Sequence, residues 1–132
     1  MQVGGIDHIN ILTDDLDGTC AFYAAAMGLV RAERPHAVAG HKGAWLCDAA
    51  GNALVHLQWN DPARDFGAHV PGDPTGGFHH IAFRCTGFAA ARARLEAAGI
   101  AHRVNDGNYG VRQVFVTDPN GISVELNFPL AE

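Results

Sequence analysis

Four short stretches of the chain alternate apolar and polar residues with the period of a strand: residues 6–11, 54–58, 79–84 and 123–128. Successive side chains of a strand point to opposite faces. In each stretch one face is largely apolar. The other carries one metal-binding type of side chain in polar company: His8 with Asn10, His56 with Gln58, His80 with Arg84, and Glu125 with Ser123 and Asn127. A sheet that turns its apolar face to the core and its polar face to a cleft has this pattern. Two other stretches place apolar residues at helical spacing: Leu16, Cys20, Tyr23 and Met27, then Phe88, Ala91, Leu95 and Ala98. Each predicts an amphipathic helix. Thr13 or Asp14 is the expected cap of the first helix and Thr86 of the second, with Gly28 and Gly99 as stops.

The chain repeats itself. Residues 5–9 resemble 77–81 at an offset of 72, residues 26–29 resemble 97–100 at 71, and residues 55–58 resemble 124–127 at 69. The matches keep the same order, so two copies of one unit is the economical reading. Each unit begins with a strand, at 3–12 and 78–85, and a helix follows. Three further strands are expected in each: 30–37, 44–48 and 53–59, then 101–104, 111–117 and 122–128. Turns fall at residues 50–52 and 118–121, where Gly and Asn supply the needed backbone freedom. The pattern is therefore βαβββ twice, an α+β fold. One domain over residues 1–132 is expected, with modules 1–60 and 77–129 joined by a Pro- and Gly-rich loop at 61–76 that carries Arg64, Asp65 and His69.

Composition changes the picture little. The chain has 132 residues, 48% hydrophobic and 17% charged, ordinary for a single globular domain. A formal charge of -5 and no basic stripe argue against nucleic acid and against an anionic membrane surface. Cys20, Cys47 and Cys85 are odd in number and widely spaced, which suits buried thiols in a reducing compartment better than a disulfide framework. No signal-peptide pattern and no run of ~20 apolar residues is seen, so a cytoplasmic location is expected.

Residues 7–9, 21–23, 27–29, 80–83 and above all 116–126 (Val-Thr-Asp-Pro-Asn-Gly-Ile-Ser-Val-Glu-Leu) resemble the vicinal oxygen chelate superfamily, which includes glyoxalase I, bleomycin-resistance proteins and extradiol dioxygenases. The resemblance implies two βαβββ modules in a cup-shaped mixed sheet, the glyoxalase/bleomycin resistance/dioxygenase-like fold. It also implies a homodimer and a small-molecule substrate. In that family the first and last strand of each module supply the metal ligands; by position these are His8, His56, His80 and Glu125. The chain departs from individual members. Bacterial glyoxalase I usually has Glu where His56 stands, and methylmalonyl-CoA epimerase, another member, usually has Gln. Extradiol enzymes do not use that position, and they want Tyr where Phe115 stands and His near Asn108.

Imidazole nitrogens and a carboxylate without thiolate suit one divalent ion among Fe, Mn, Co, Ni and Zn. Four protein ligands leave two positions of an octahedral ion for neighbouring substrate oxygens, and the ion then stabilises a developing enediolate as a Lewis acid. Glu125 is the expected base, by analogy with glyoxalase I, and His56 the second choice. If His56 does not ligate, His8, His80 and Glu125 form a two-His-one-carboxylate set suited to Fe(II) and oxygen. A metal-free binding or resistance protein is the third alternative. Arg84 either holds an anionic substrate group or pairs with a nearby carboxylate. Gln58 and Asn10 are candidate substrate contacts. His79 is expected to face away from His80. Trp45 and Trp59 are expected in the core or an interface, and His36, His41, His69 and His102 as solvated residues.

Overall fold

The computed structural model describes residues 1–2, 5–32, 42–65, 77–106 and 110–131. His36, His41, His69, Asn108, Tyr109 and most of the 61–76 loop lie outside them. The chain divides into two compact units. The first holds β1 (Ile9–Thr13), most of α1 (Leu16–Met27), β2 (Val30–Ala32), β3 (Gly43–Cys47) and β4 (Ala53–Trp59). The second holds β5 (Ile81–Arg84), α2 (Phe88–Ala97), β6 (His102–Asp106), β7 (Val111–Thr117) and β8 (Ser123–Pro129).

Each unit is βαβββ, as the repeat predicts. The strand orders are β1-β4-β3-β2 and β5-β8-β7-β6. In both, the first strand runs parallel to the last, and the remaining pairs are antiparallel. A parallel pair needs a long crossover, and the helix begins it.

Alternation decides which face is buried. In the first unit Ile11, Leu46, Val55 and Leu57 are at most 3% exposed, and α1 contributes Tyr23. Thr13 Oγ1 and Thr19 Oγ1 lie 2.9 Å apart and tie α1 to β1. In the second unit Val114, Val124, Leu126 and Phe128 are buried, with Leu95 from α2. The Phe88 ring meets the Phe128 ring edge-on at 5.6 Å.

The caps differ from expectation. Asp15 caps α1, its carboxylate accepting from Gly18 N, because Thr13 turns inward to Thr19. Gly87, at φ 80, precedes α2 with no side-chain cap bond. Gly28 closes α1 at φ 69, and Gly99 follows α2 at φ 65, both in the left-handed region as predicted.

The turns before β4 and β8 are copies of one another. Asp48 Oδ1 accepts from Ala50 N and Asn52 N at 2.9 and 2.8 Å, and Asp118 Oδ1 accepts from Asn120 N and Ile122 N at the same distances. Gly51 (φ 85) and Gly121 (φ 82) take the position that side chains disfavour.

Both first strands start later than the alternation suggests. The ladder begins at Ile9 and Ile81, so His8 and His80 each stand one residue ahead of it.

Candidate metal centre

Cross-strand partners share a face, so register assembles the site. In the first unit Trp45, His56 and Asn10 stand side by side on β3, β4 and β1. The Trp45 ring lies flat on the His56 ring, 4.1 Å between centroids and 4° between planes. His8 meets both edge-on, at 4.9 Å from Trp45 and 6.1 Å from His56. Trp45 is thus part of the polar-face cluster, where sequence reasoning assigned it to core or interface. Its odd-numbered spacing from buried Ala44 and Leu46 carried the signal.

Two contacts bear on which nitrogens are offered. His8 Nδ1 lies 2.6 Å from Asp7 Oδ1. A carboxylate only accepts, so His8 Nδ1 carries a hydrogen, and the neutral ring offers its lone pair at Nε2. This is the arrangement that metal-binding histidines favour. Asn10 Nδ2 lies 2.9 Å from His56 Nδ1. With the amide so placed it donates to Nδ1, and the His56 hydrogen sits on Nε2. Turning the amide round makes Nδ1 the donor and leaves Nε2 for an ion. Gln58 follows two residues after His56 on the same face, opposite Gly43 and Leu12.

In the second unit the equivalent row is Phe115, Glu125 and Ala82. Glu125 is 8% exposed. Its Oε2 lies 3.2 Å from His80 Nε2. Its Oε1 accepts from Gln113 Nε2 and Asn127 Nδ2, each at 2.8 Å. Arg103 lies over the Phe115 ring at 4.0 Å. The neighbouring row is Asn105, Gln113, Asn127 and Arg84. Among the described residues Arg84 has no ion pair. It borders a hollow of about 660 Å³ lined also by Phe83, Val111, Phe128 and Leu130.

His79 corrects an expectation. Its Nδ1 lies 2.8 Å from His80 Nδ1, so the two rings meet. Strict alternation holds only inside a hydrogen-bonded strand, and both residues precede β5. His102 Nδ1 lies 2.9 Å from Ile100 O.

The four predicted ligands fall into two pairs, His8 with His56 and His80 with Glu125. Among the described residues no three metal-binding side chains form one cluster. The spacing of the second pair is that of an ion pair and equally that of two donors sharing one ion. Two donors each ~2.1 Å from one ion at a right angle stand ~3.0 Å apart, close to the 3.2 Å observed.

The family model for the Glyoxalase/Bleomycin resistance protein/Dioxygenase superfamily matches residues 5–126. The chain belongs to this superfamily. It is 25% identical over 130 residues to "Glyoxylase I 4" of Arabidopsis thaliana, covering 96% of this chain and 71% of that protein. Its fold matches the glyoxylase/bleomycin resistance protein/dioxygenase domain from Frankia sp. EAN1pec (TM-score 0.73, 18% identity, 97% of this chain and 93% of that one). It also matches a mutant of the genomically encoded fosfomycin resistance protein from Listeria monocytogenes. The TM-score is 0.67 and the identity 17%, over 97% of this chain and 94% of that one. That protein was crystallised with Mn(II) and 1S,2S-dihydroxypropylphosphonic acid. Among the described residues no helix of this member is long and apolar enough to cross a membrane.

Proposed function

We propose that this superfamily member is a metal-dependent enzyme of the glyoxalase kind, a lyase or isomerase acting on a small substrate with two neighbouring oxygens. His8, His56, His80 and Glu125 hold one divalent ion, and the working form is a homodimer. The observation that supports this best is Glu125, a buried carboxylate fixed at one oxygen with the other 3.2 Å from an imidazole nitrogen. When bound, the ion supplies Lewis-acid polarisation of the two substrate oxygens.

The chain's own groups supply the rest. Glu125 Oε2, once partly released from the ion, is the group assigned to move the proton beside the carbonyl, and His56 is the second choice. Arg84 holds an anionic group of the substrate at the hollow it borders, and Val111, on the same sheet face as Glu125, meets its carbon part. Gln58 hydrogen-bonds substrate on the His56 side, and Asn10 acts there through its bond to His56.

The Asn10–His56 contact favours a second reading. If Asn10 donates to Nδ1, His56 presents N–H and not a lone pair at Nε2. His8, His80 and Glu125 then remain as a set suited to Fe(II) and ring-cleaving oxygen chemistry.

Metal analysis of the purified protein with two assays separates these. Ni, Co or Zn with turnover of a hemithioacetal, and no oxygen uptake, supports the first reading. Iron with catechol-dependent oxygen uptake supports the second. If neither activity appears and His8→Ala with Glu125→Ala leaves small-molecule binding unchanged, both enzyme readings fall in favour of a metal-free binding protein.

A further inference from the structure

An amide ladder crosses three strands of the second unit and ends on Glu125. Asn105 Nδ2 on β6 donates to Gln113 Oε1 on β7 at 2.8 Å. Gln113 Nε2 donates to Glu125 Oε1 at 2.8 Å and to Asn127 Oδ1 at 3.1 Å, both on β8. Asn127 Nδ2 donates to the same Glu125 Oε1 at 2.8 Å. The polarity of the ladder follows from its end. An ionised carboxylate only accepts, so Gln113 must turn its NH2 to Glu125. Its oxygen then faces Asn105, which must donate.

We infer that Gln113 is a positioning residue, which together with Asn127 takes up Oε1 of Glu125 so that Oε2 alone is presented to a bound ion. This inference rests on the metal reading of Glu125 proposed above. Its consequence is single-oxygen binding. A carboxylate with both oxygens free can swing or bind an ion through two, whereas both amide bonds here hold the same oxygen, Oε1. The pseudo-equivalent position in the first unit is Gly43, which carries no side chain. There the matching ligand, His56, is held from β1 and β3 by Asn10 and Trp45. The ladder therefore belongs to the carboxylate and is not a general feature of the repeat.

The test uses full-length protein stripped of metal and titrated with Co(II). Gln113→Leu removes the amide at nearly constant volume. Cobalt affinity is expected to fall ~10- to 100-fold, the usual scale for loss of a group that orients a ligand. The visible absorption bands of bound cobalt are expected to change with it, because the carboxylate is no longer held to one oxygen. Asn105→Leu, at the far end of the ladder, is expected to change affinity less than Gln113→Leu. A folded Gln113→Leu protein that binds cobalt within twofold of wild type, with the same spectrum, overturns the role. Should that variant fail to fold, side-chain amide exchange in the unaltered protein decides. Slow exchange of the Gln113 NH2 supports the clamp, and exchange at the rate of an exposed glutamine overturns it. Wild-type protein that takes up no cobalt overturns the metal reading itself, whereas binding that ignores Gln113 overturns this role alone.

Discussion

At the scale of single residues, the pivotal atom is His56 Nδ1. Its partner Asn10 decides which ring nitrogen carries the hydrogen. Asn10→Asp replaces an ambiguous amide by an obligate acceptor, which puts the hydrogen on Nδ1 and frees Nε2. Metal affinity, measured by competition with a chelator, should then equal or exceed that of wild type. Asn10→Leu should weaken it, on the order of tenfold. The opposite ranking would place His56 outside the ligand set. The thiols make a separate prediction. Burial pushes the Cys20 thiol up, and Cys47 is also buried, while Cys85 is half-exposed. Iodoacetamide treatment of native protein, followed by mass spectrometry, should therefore modify Cys85 first and Cys20 only on unfolding.

At the scale of elements, the paired Asp turns show how local chemistry shapes both units. Asp48 accepts from the Asn52 side chain and from two backbone amides. The Asn52 side-chain bond first, then its backbone bond, holds the Asp48 carboxyl below the usual range. A carboxyl whose pKa is lower folded than unfolded stabilises the fold above its unfolded value, near 3.9. That stabilisation is lost as pH falls through the folded value. Urea midpoints of wild type and Asp48→Ala should therefore differ at pH 6 and converge on acidification below pH 4. A difference that persisted at the acid end would assign the turn's contribution to geometry alone. The helices and turns were readable because their signals are local: Gly28, Gly99 and Gly121 sit where the chain needs a left-handed residue. The cap residues were misjudged for a tertiary reason. Thr13 satisfies its hydroxyl against Thr19 of α1, which leaves the capping position to Asp15.

At the scale of the whole molecule, ion binding should stabilise the fold as well as enable chemistry. An ion present at a hundred times its dissociation constant adds ~2.7 kcal/mol. The melting temperature should rise by several degrees with metal and fall back with chelator. A mixing experiment asks how the two ligand pairs are combined. If one ion takes His8 and His56 from one chain and His80 and Glu125 from another, inactive His8→Ala and Glu125→Ala proteins should regain activity when mixed and re-equilibrated. If each ion takes all four from one chain, the mixture should stay inactive. The sequence alone determined the two βαβββ units, their turns and the four ligand-type side chains, because period, repeat and glycine placement are properties of neighbours along the chain. Only the tertiary structure decided the surroundings of those side chains. Trp45 on His56 and Gln113 on Glu125 are cross-strand contacts, set by register between segments 11 and 12 residues apart. The meeting of His79 with His80 depends on where the ladder starts, since the face rule lapses outside hydrogen-bonded backbone.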